Sequence, residues 1–235
     1  MKRERFAPRR HPLVSLAACA AVIGAALLTG CASSPPSRFY TLGTDPATEQ
    51  AGTAKPTAPP AFLIEVPTLD VPTQVARNQL VVSDSATRVS VLEQERWASP
   101  PADELRRALS GDLAARLGTF DVFASPHPAD IPVYRIAVNV RRFESWPGSR
   151  AVLDTVWSVH ALGRQTLVTC RTVQTEAVGP GYDALVAGHR RAVGALSDSI
   201  ASVVRALASG QRAPALGTGD CESGNAERAA STGQP

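Results

Sequence analysis

The sequence predicts an α+β domain: one mostly antiparallel or mixed sheet, with two amphipathic helices packed on one of its faces. Three observations lead there. Three long segments of alternating polarity between Val133 and Glu176 follow one another with tight connections, the pattern of an antiparallel meander with one wet face. Two segments, Pro101–Leu117 and Tyr182–Ala208, carry apolar stripes at helical spacing. The remaining apolar or alternating runs, Phe39–Leu42, Phe62–Val66, Gln79–Ser83 and Arg88–Glu93, are short, which suits further strands.

In chain order, Phe39–Leu42 reads as a short strand and Thr44–Pro60, rich in Thr, Ala and Pro, as a loop. Phe62–Val66 is apolar and stops at Pro67. Gln79–Ser83 and Arg88–Glu93 alternate, with a turn expected over Ser83-Asp84-Ser85-Ala86. The first helix has Ser99 as its expected N-cap and Asp103 and Glu104 in its first turn, where carboxylates suit the helix dipole. Leu105, Leu109, Leu113 and Leu117 recur every four residues, with Ala108 beside them.

In the meander, Tyr134, Ile136, Val138 and Val140 of Val133–Phe143 oppose Arg135, Asn139 and Arg141. Leu153, Trp157 and Val159 of Val152–Leu162 oppose Asp154, Ser158 and His160, and Gln165–Glu176 pairs with that strand across Gly163-Arg164. The second helix carries Tyr182, Leu185, Val186, His189, Val193, Leu196, Ile200, Val203, Val204 and Leu207 on one stripe, a core-facing pattern.

The start of the chain has a different character. Residues 1–12 hold Lys2, Arg3, Arg5, Arg9 and Arg10 against Glu4, and an apolar run of 16 residues follows from Leu13 to Leu28. That run is short for a spanning helix, which needs roughly 20 residues, and fits a secretory signal. Leu28-Thr29-Gly30-Cys31 then resembles the bacterial lipobox, in which the Cys sulfur takes a diacylglycerol. Lipidation is therefore expected on Cys31, with plain cleavage and secretion as the alternative. Ala32 follows Cys31 instead of the Asp that resembles an inner-membrane retention signal, so the periplasmic face of the outer membrane is the expected address. The boundaries expected are a signal peptide at 1–30, a lipidated N-terminus with a short strand and flexible linker at 31–60, the α+β domain at 61–210, and a disordered tail at 211–235.

Cleavage changes the charge balance. The whole chain carries 24 Lys+Arg against 21 Asp+Glu, net +3; residues 1–30 hold five bases and one acid, leaving 19 against 20, net −1. A nucleic-acid partner is thus not expected. Cys19 leaves with the signal and Cys31 is acylated, so Cys170 and Cys221 remain. In an oxidising compartment a disulfide is favoured, worth roughly 3–4 kcal/mol in the chain-entropy model. A buried core thiol at Cys170 and a free thiol at Cys221 form the alternative.

Catalytic and metal signatures are absent from the sequence: no Cys-x-x-Cys, no His-Glu-x-x-His, no Gly-x-Ser-x-Gly and no phosphate loop. No cofactor or metal is expected, and the chain is read as not an enzyme. Glu95-Arg96-Trp97-Ala98-Ser99-Pro100 places Arg and Trp, residue types that carry interfaces, just ahead of a helix. Trp97 reads equally as core. Arg141, Arg142, Phe143 and Trp146 end one strand and read as a solvated hairpin end more than as an interaction rim.

Several motifs then fall in a recognisable order: the lipobox, Phe39-Tyr40-Thr41-Leu42, Ile64-Glu65-Val66-Pro67, Pro72-Thr73-Gln74-Val75-Ala76-Arg77 leading into Asn78-Gln79-Leu80, Arg96-Trp97-Ala98 before a Leu-rich helix closed by Leu117-Gly118, and Ser199-Ile200-Ala201 in a long Ala-rich helix. This order resembles the ABC-type transport auxiliary lipoproteins, the PqiC-like family, over Cys31 to Leu207. The resemblance implies partners: a mammalian-cell-entry (MCE) domain protein and an ABC transporter or permease, moving phospholipid or other hydrophobic cargo between the membranes. It leaves homo-oligomerisation open. Where the family reads Tyr-Leu-Asp-Arg-Pro-Gln-Ile-Val, this chain has Thr68-Leu69-Asp70-Val71-Pro72-Thr73-Gln74-Val75, and Ser99 replaces the Glu usual after Arg-Trp-Ala. Pro72, Gln74, Arg77, Arg96 and Trp97 are the candidate partner-binding residues. A lipoprotein of envelope assembly or secretion, or a periplasmic hydrolase, is the alternative function.

Overall fold

Alternation puts every second side chain of a strand on one face, and three consecutive strands use it to build the centre of the molecule. The computed structural model describes residues 35–43, 59–217 and 219–225. The signal peptide, Cys31, most of the linker and the end of the tail lie outside the described residues. The elements are β1 (Arg38–Tyr40), β2 (Leu63–Glu65), β3 (Gln79–Ser85), β4 (Arg88–Trp97), α1 (Pro101–Leu117), β5 (Val133–Trp146), β6 (Arg150–Ala161), β7 (Thr166–Ala177), α2 (Tyr182–Ala208) and β8 (Gly219–Asn225).

These strands make two mixed sheets where one was expected. One runs β1-β4-β3 and the other β2-β5-β6-β7-β8. β1 on β4 and β2 on β5 are parallel, and the other pairings are antiparallel. The division falls at the segment between β2 and β3. Pro67 and Pro72 lack a backbone N–H and cannot donate to a ladder; between them pairing with β5 shrinks to a single bridge, Asp70 opposite Asn139, before the chain forms a separate hairpin. The hairpin tip is Ala86-Thr87; of the expected turn, Ser83, Asp84 and Ser85 are strand in β3 and Ala86 is in the tip.

Register in the meander follows the alternation except over Ala151–Thr155 of β6, where both faces are buried and Asp154, expected on the wet face, is enclosed. Tyr134, Ile136, Val138 and Val140 are buried, as are Leu153, Trp157 and Val159. Trp157, 1% exposed, donates from Nε1 to Thr172 Oγ1 at 3.2 Å, so its polar edge is satisfied inside the core. A register shift between Val140 and Arg142 in β5 marks a bulge. Beyond it Phe143 and Ser145 turn inward, while Arg141 and Arg142 both face solvent.

The two helices start and end where their apolar periods do. α1 has Pro100 at its N-cap and a Pro in its first turn, with no side-chain cap. Ser99, the expected cap, instead donates to the Glu104 carboxylate at 2.6 Å. Gly118 closes the helix at φ +63°, its N–H on Ala114 C=O. α2 lies against β5, β6 and β7, and α1 packs along α2. Gly188 permits the close seating of α2: a Cβ there would fall 2.3 Å from Val178 Cγ1 and 3.2 Å from Ala151 Cβ. Each Leu or Ile buried here contributes about 1.5–3 kcal/mol.

Part of the tail is ordered. Gly219–Asn225, expected to be disordered, is β8, antiparallel to β7 with Cys221 opposite Cys170. Their sulfurs are bonded at 2.03 Å, across a separation of 51 residues. Gly, Asp, Ser and Asn give no apolar period, so the strand left no signal of its own.

Candidate functional site

The segment between β2 and β3 is irregular yet held at many points. Val66 N–H donates to Asp121 Oδ1 at 3.1 Å, and Arg106 of α1 donates to Val66 C=O at 3.0 Å while pairing with Asp121. Asp70 C=O accepts from Val140 N–H at 2.8 Å, and its carboxylate accepts from Asn139 Nδ2 at 2.8 Å. Leu69 and Val75 drop into the core. Val75 N–H closes a turn on Pro72 C=O at 3.0 Å. The backbone is thus fixed while Gln74 and Arg77 point outward and Pro72 is half-buried.

Pro72, Gln74 and Val75 form one wall of a groove of about 90 Å³. Val81, Ser83 and Val89 of the hairpin and Arg141–Ser145 of β5 complete it. Arg142 is committed, donating to Asp154 at 3.1 Å, whereas Arg141 has no ion-pair partner among the described residues. Asp154, 2% exposed, also takes a two-pronged hydrogen bond from Arg171 at 3.1 and 2.8 Å. The Arg171 guanidinium first, and then Arg142, hold this carboxyl below its ordinary range against the opposing effect of burial.

The predicted residues divide. Gln79 sits opposite Arg96, and Trp97 N–H donates to Asn78 C=O at 2.6 Å, so Arg77 and Arg96 belong to one neighbourhood at the end of the hairpin. Arg96 is half-exposed and pairs loosely with Glu93 at 3.7 Å. Neither arginine lines the groove. Trp97 is 3% exposed, with its ring 5.9 Å from Phe143 and 6.3 Å from His189, so the core reading holds and it offers no surface anchor. Arg141 and Arg142, read as a solvated hairpin end, line the groove instead. Their signal was in the sequence: even-numbered Val140 and odd-numbered Phe143 are both apolar, so alternation has to break between them.

Two buried acids tie the neighbourhood together. Glu104, 1% exposed, accepts from Ser99 Oγ, from Thr41 Oγ1 at 2.7 Å, from Leu42 N–H at 3.0 Å and from Arg107 at 2.9 Å. Burial opposes its charge, but these donors win and keep the carboxyl below its usual range. Glu95 accepts from Tyr40 Oη at 2.6 Å and from Arg38 Nε at 3.0 Å. Burial and that carboxylate push the Tyr40 hydroxyl up to about 12.

Ser145 Oγ and His189 Nε2 lie 2.8 Å apart, the nearest approach to a nucleophile and base among the described residues. Both are buried, and His189 Nδ1 has no hydrogen-bond partner there. A base in a triad is oriented through that nitrogen, so the pair reads as a core hydrogen bond. No group of three or more His, Cys, Asp or Glu is placed to hold a metal among the described residues, and no helix there is long and apolar enough to cross a membrane.

The fold has a counterpart in a solved structure. One crystal structure of an uncharacterized protein matches with a TM-score of 0.55 at 21% identity, covering 71% of this chain and 97% of the other. A second, of a protein from Xanthomonas campestris assigned to the DUF330 family model, has a TM-score of 0.48 at 16% identity, covering 74% and 93%. Comparison with curated proteins gives no match. A family model described as ABC-type transport auxiliary lipoprotein component matches residues 40–201, and with more than half its length inside that match, the chain belongs to this family.

Proposed function

We propose that the protein is a lipid-anchored, non-enzymatic auxiliary of an ABC/MCE-type transport system, held at the periplasmic face of the outer membrane and serving the passage of phospholipid or other hydrophobic cargo. The family match supports an envelope transport role. The carrying observation is the surface beside β4: a clamped loop presents Gln74 and Arg77 next to half-exposed Arg96, with Arg141 free at the adjoining groove. Solvent-facing guanidiniums on an ordered backbone, Arg77 on the loop, Arg96 on β4 and Arg141 on β5, suit recognition of a protein partner, here an MCE-domain protein with its permease. Trp97 supports this surface from beneath.

Arg77→Glu and Arg96→Glu should leave the thermal midpoint nearly unchanged, because the one exposed pair involved, Arg96 with Glu93, is worth about 1 kcal/mol or less. Capture of the MCE-domain partner encoded in the same gene cluster should weaken by about 2 kcal/mol, or about thirtyfold. Equal capture by the folded double variant would place the interface elsewhere. For the attachment, Cys31→Ala should abolish incorporation of labelled fatty acid and yield an uncut or soluble product. Label still present on that variant would defeat the lipidation reading. Co-sedimentation of the wild type with inner membranes in a sucrose gradient would overturn the outer-membrane placement.

A further inference from the structure

We propose that the Cys170–Cys221 disulfide is a redox latch that holds β8 over the edge of β7, and that its opening by a dithiol bares Thr166–Thr172 without unfolding the domain. β7 and β8 pair from Thr166↔Asn225 to Thr172↔Gly219, yet they are unequal partners. β7 is a central strand, paired to β6 from Leu167 to Ala177, and it buries Val168, Cys170 and Thr172. β8 reads Gly-Asp-Cys-Glu-Ser-Gly-Asn, residue types that sheets disfavour. Asp220, Glu222 and Ser223 are exposed. Among the described side chains of β8, Cys221 alone packs on the core. Covalent linkage therefore replaces the apolar contacts that ordinarily seat a strand.

The sulfurs differ in access. Cys170 is 2% exposed and Cys221 is partly exposed, so an incoming thiolate attacks Cys221 Sγ. The S–S bond breaks, Cys170 leaves as a thiolate and takes a proton, and Cys221 carries the mixed disulfide. The donor's second thiolate then attacks its own sulfur in that mixed disulfide, and Cys221 leaves and is protonated. Two electrons and two protons pass to the protein, and the donor departs as a disulfide. β8 then keeps its backbone ladder to β7, a marginal arrangement for seven residues of these types. The strands that hold β7 from the other side are untouched.

Hydrogen exchange read by mass spectrometry on the mature chain tests this in three samples: oxidised protein, protein reduced with dithiothreitol, and Cys221→Ser. In the last two, amides of 219–225 should exchange at least a hundredfold faster, with a smaller gain in 166–172. Amides of β5 and β6 should be unchanged. Protection of 219–225 that survives both treatments would show that the ladder alone holds the strand and overturn the latch. Loss of protection through β5 and β6 would overturn it too, making the bridge a staple of the whole domain. Two alkylatable thiols in protein taken from the periplasm would remove its premise.

Discussion

Glu104→Ala should destabilise the domain by about 3 kcal/mol at neutral pH, a large share of what holds any domain of this size folded. The carboxylate is acceptor to two hydroxyls, the Leu42 N–H and Arg107. Removing it leaves a buried N–H unpaired, which costs about 1–3 kcal/mol, and deletes a charge-assisted bond worth about 1.5–3 kcal/mol. Arg107 is more than half exposed and regains water, which keeps the total below that of a fully buried ion pair. Glu104→Gln keeps an acceptor oxygen and the shape, so its loss should be about half as large. Urea midpoints for both variants check this, and a shift under about 0.5 kcal/mol for the alanine variant would reduce the hub to a surface contact. Because the folded carboxyl titrates below its unfolded value, the contribution is complete above the ordinary carboxyl range and fades as pH falls through it.

Acid should act earlier, through His189. Complete burial pushes this imidazole from 6.5 down to about 3, so the folded protein holds it neutral while the unfolded chain protonates below about pH 6.5. Stability from this residue is therefore complete above pH 6.5 and falls steadily as pH drops toward 3. At about 1.36 kcal/mol per unit, the loss between pH 6.5 and 4.5 is about 2.7 kcal/mol, and by pH 3 it reaches about 4–5 kcal/mol. The first two units isolate the histidine, since Glu104 and Asp154 lose their contributions only lower down. His189→Leu with Ser145→Ala removes the titrating group and its hydroxyl partner together. Its baseline stability will change, so the slope against pH is the quantity to read. A double variant with the wild-type slope from pH 6.5 to 4.5 would show that acid sensitivity arises elsewhere.

Much of the fold was legible because local periods and core packing agree. Pro101–Leu117 and Tyr182–Ala208 are helical over the ranges their stripes define, and the three meander strands fall where alternation put them. Pairing was less legible. Nothing local in Arg38–Tyr40 says that it should run parallel to β4 instead of joining β2 and β5, because partner choice is made by distant residues. Trp97 misleads for a related reason: it shares strand parity with Glu95, whose burial rests on Tyr40 and Arg38, far away in sequence. The groove residues Arg141 and Arg142 depend on a one-residue bulge, which alternation records only as a fault. β8 depends on a covalent bond, which composition does not record.

The attachment of β1 has a mechanical side. Tension arriving from the start of the chain meets Ser37 first, then a strand of three residues lying parallel to β4. Its load is shared by the Ser37 hydroxyl on Gln94, by Arg38 and Tyr40 on Glu95, and just beyond by Thr41 and Leu42 on Glu104. Within β1 these contacts are loaded together, because a parallel pair drawn along its own axis resists in shear. The first turn of α1, through Glu104, is the last point to yield before force reaches the central sheet. A tethered protein built this way can be tugged at its leading end while the surface beside Arg77 and Arg96 keeps its shape.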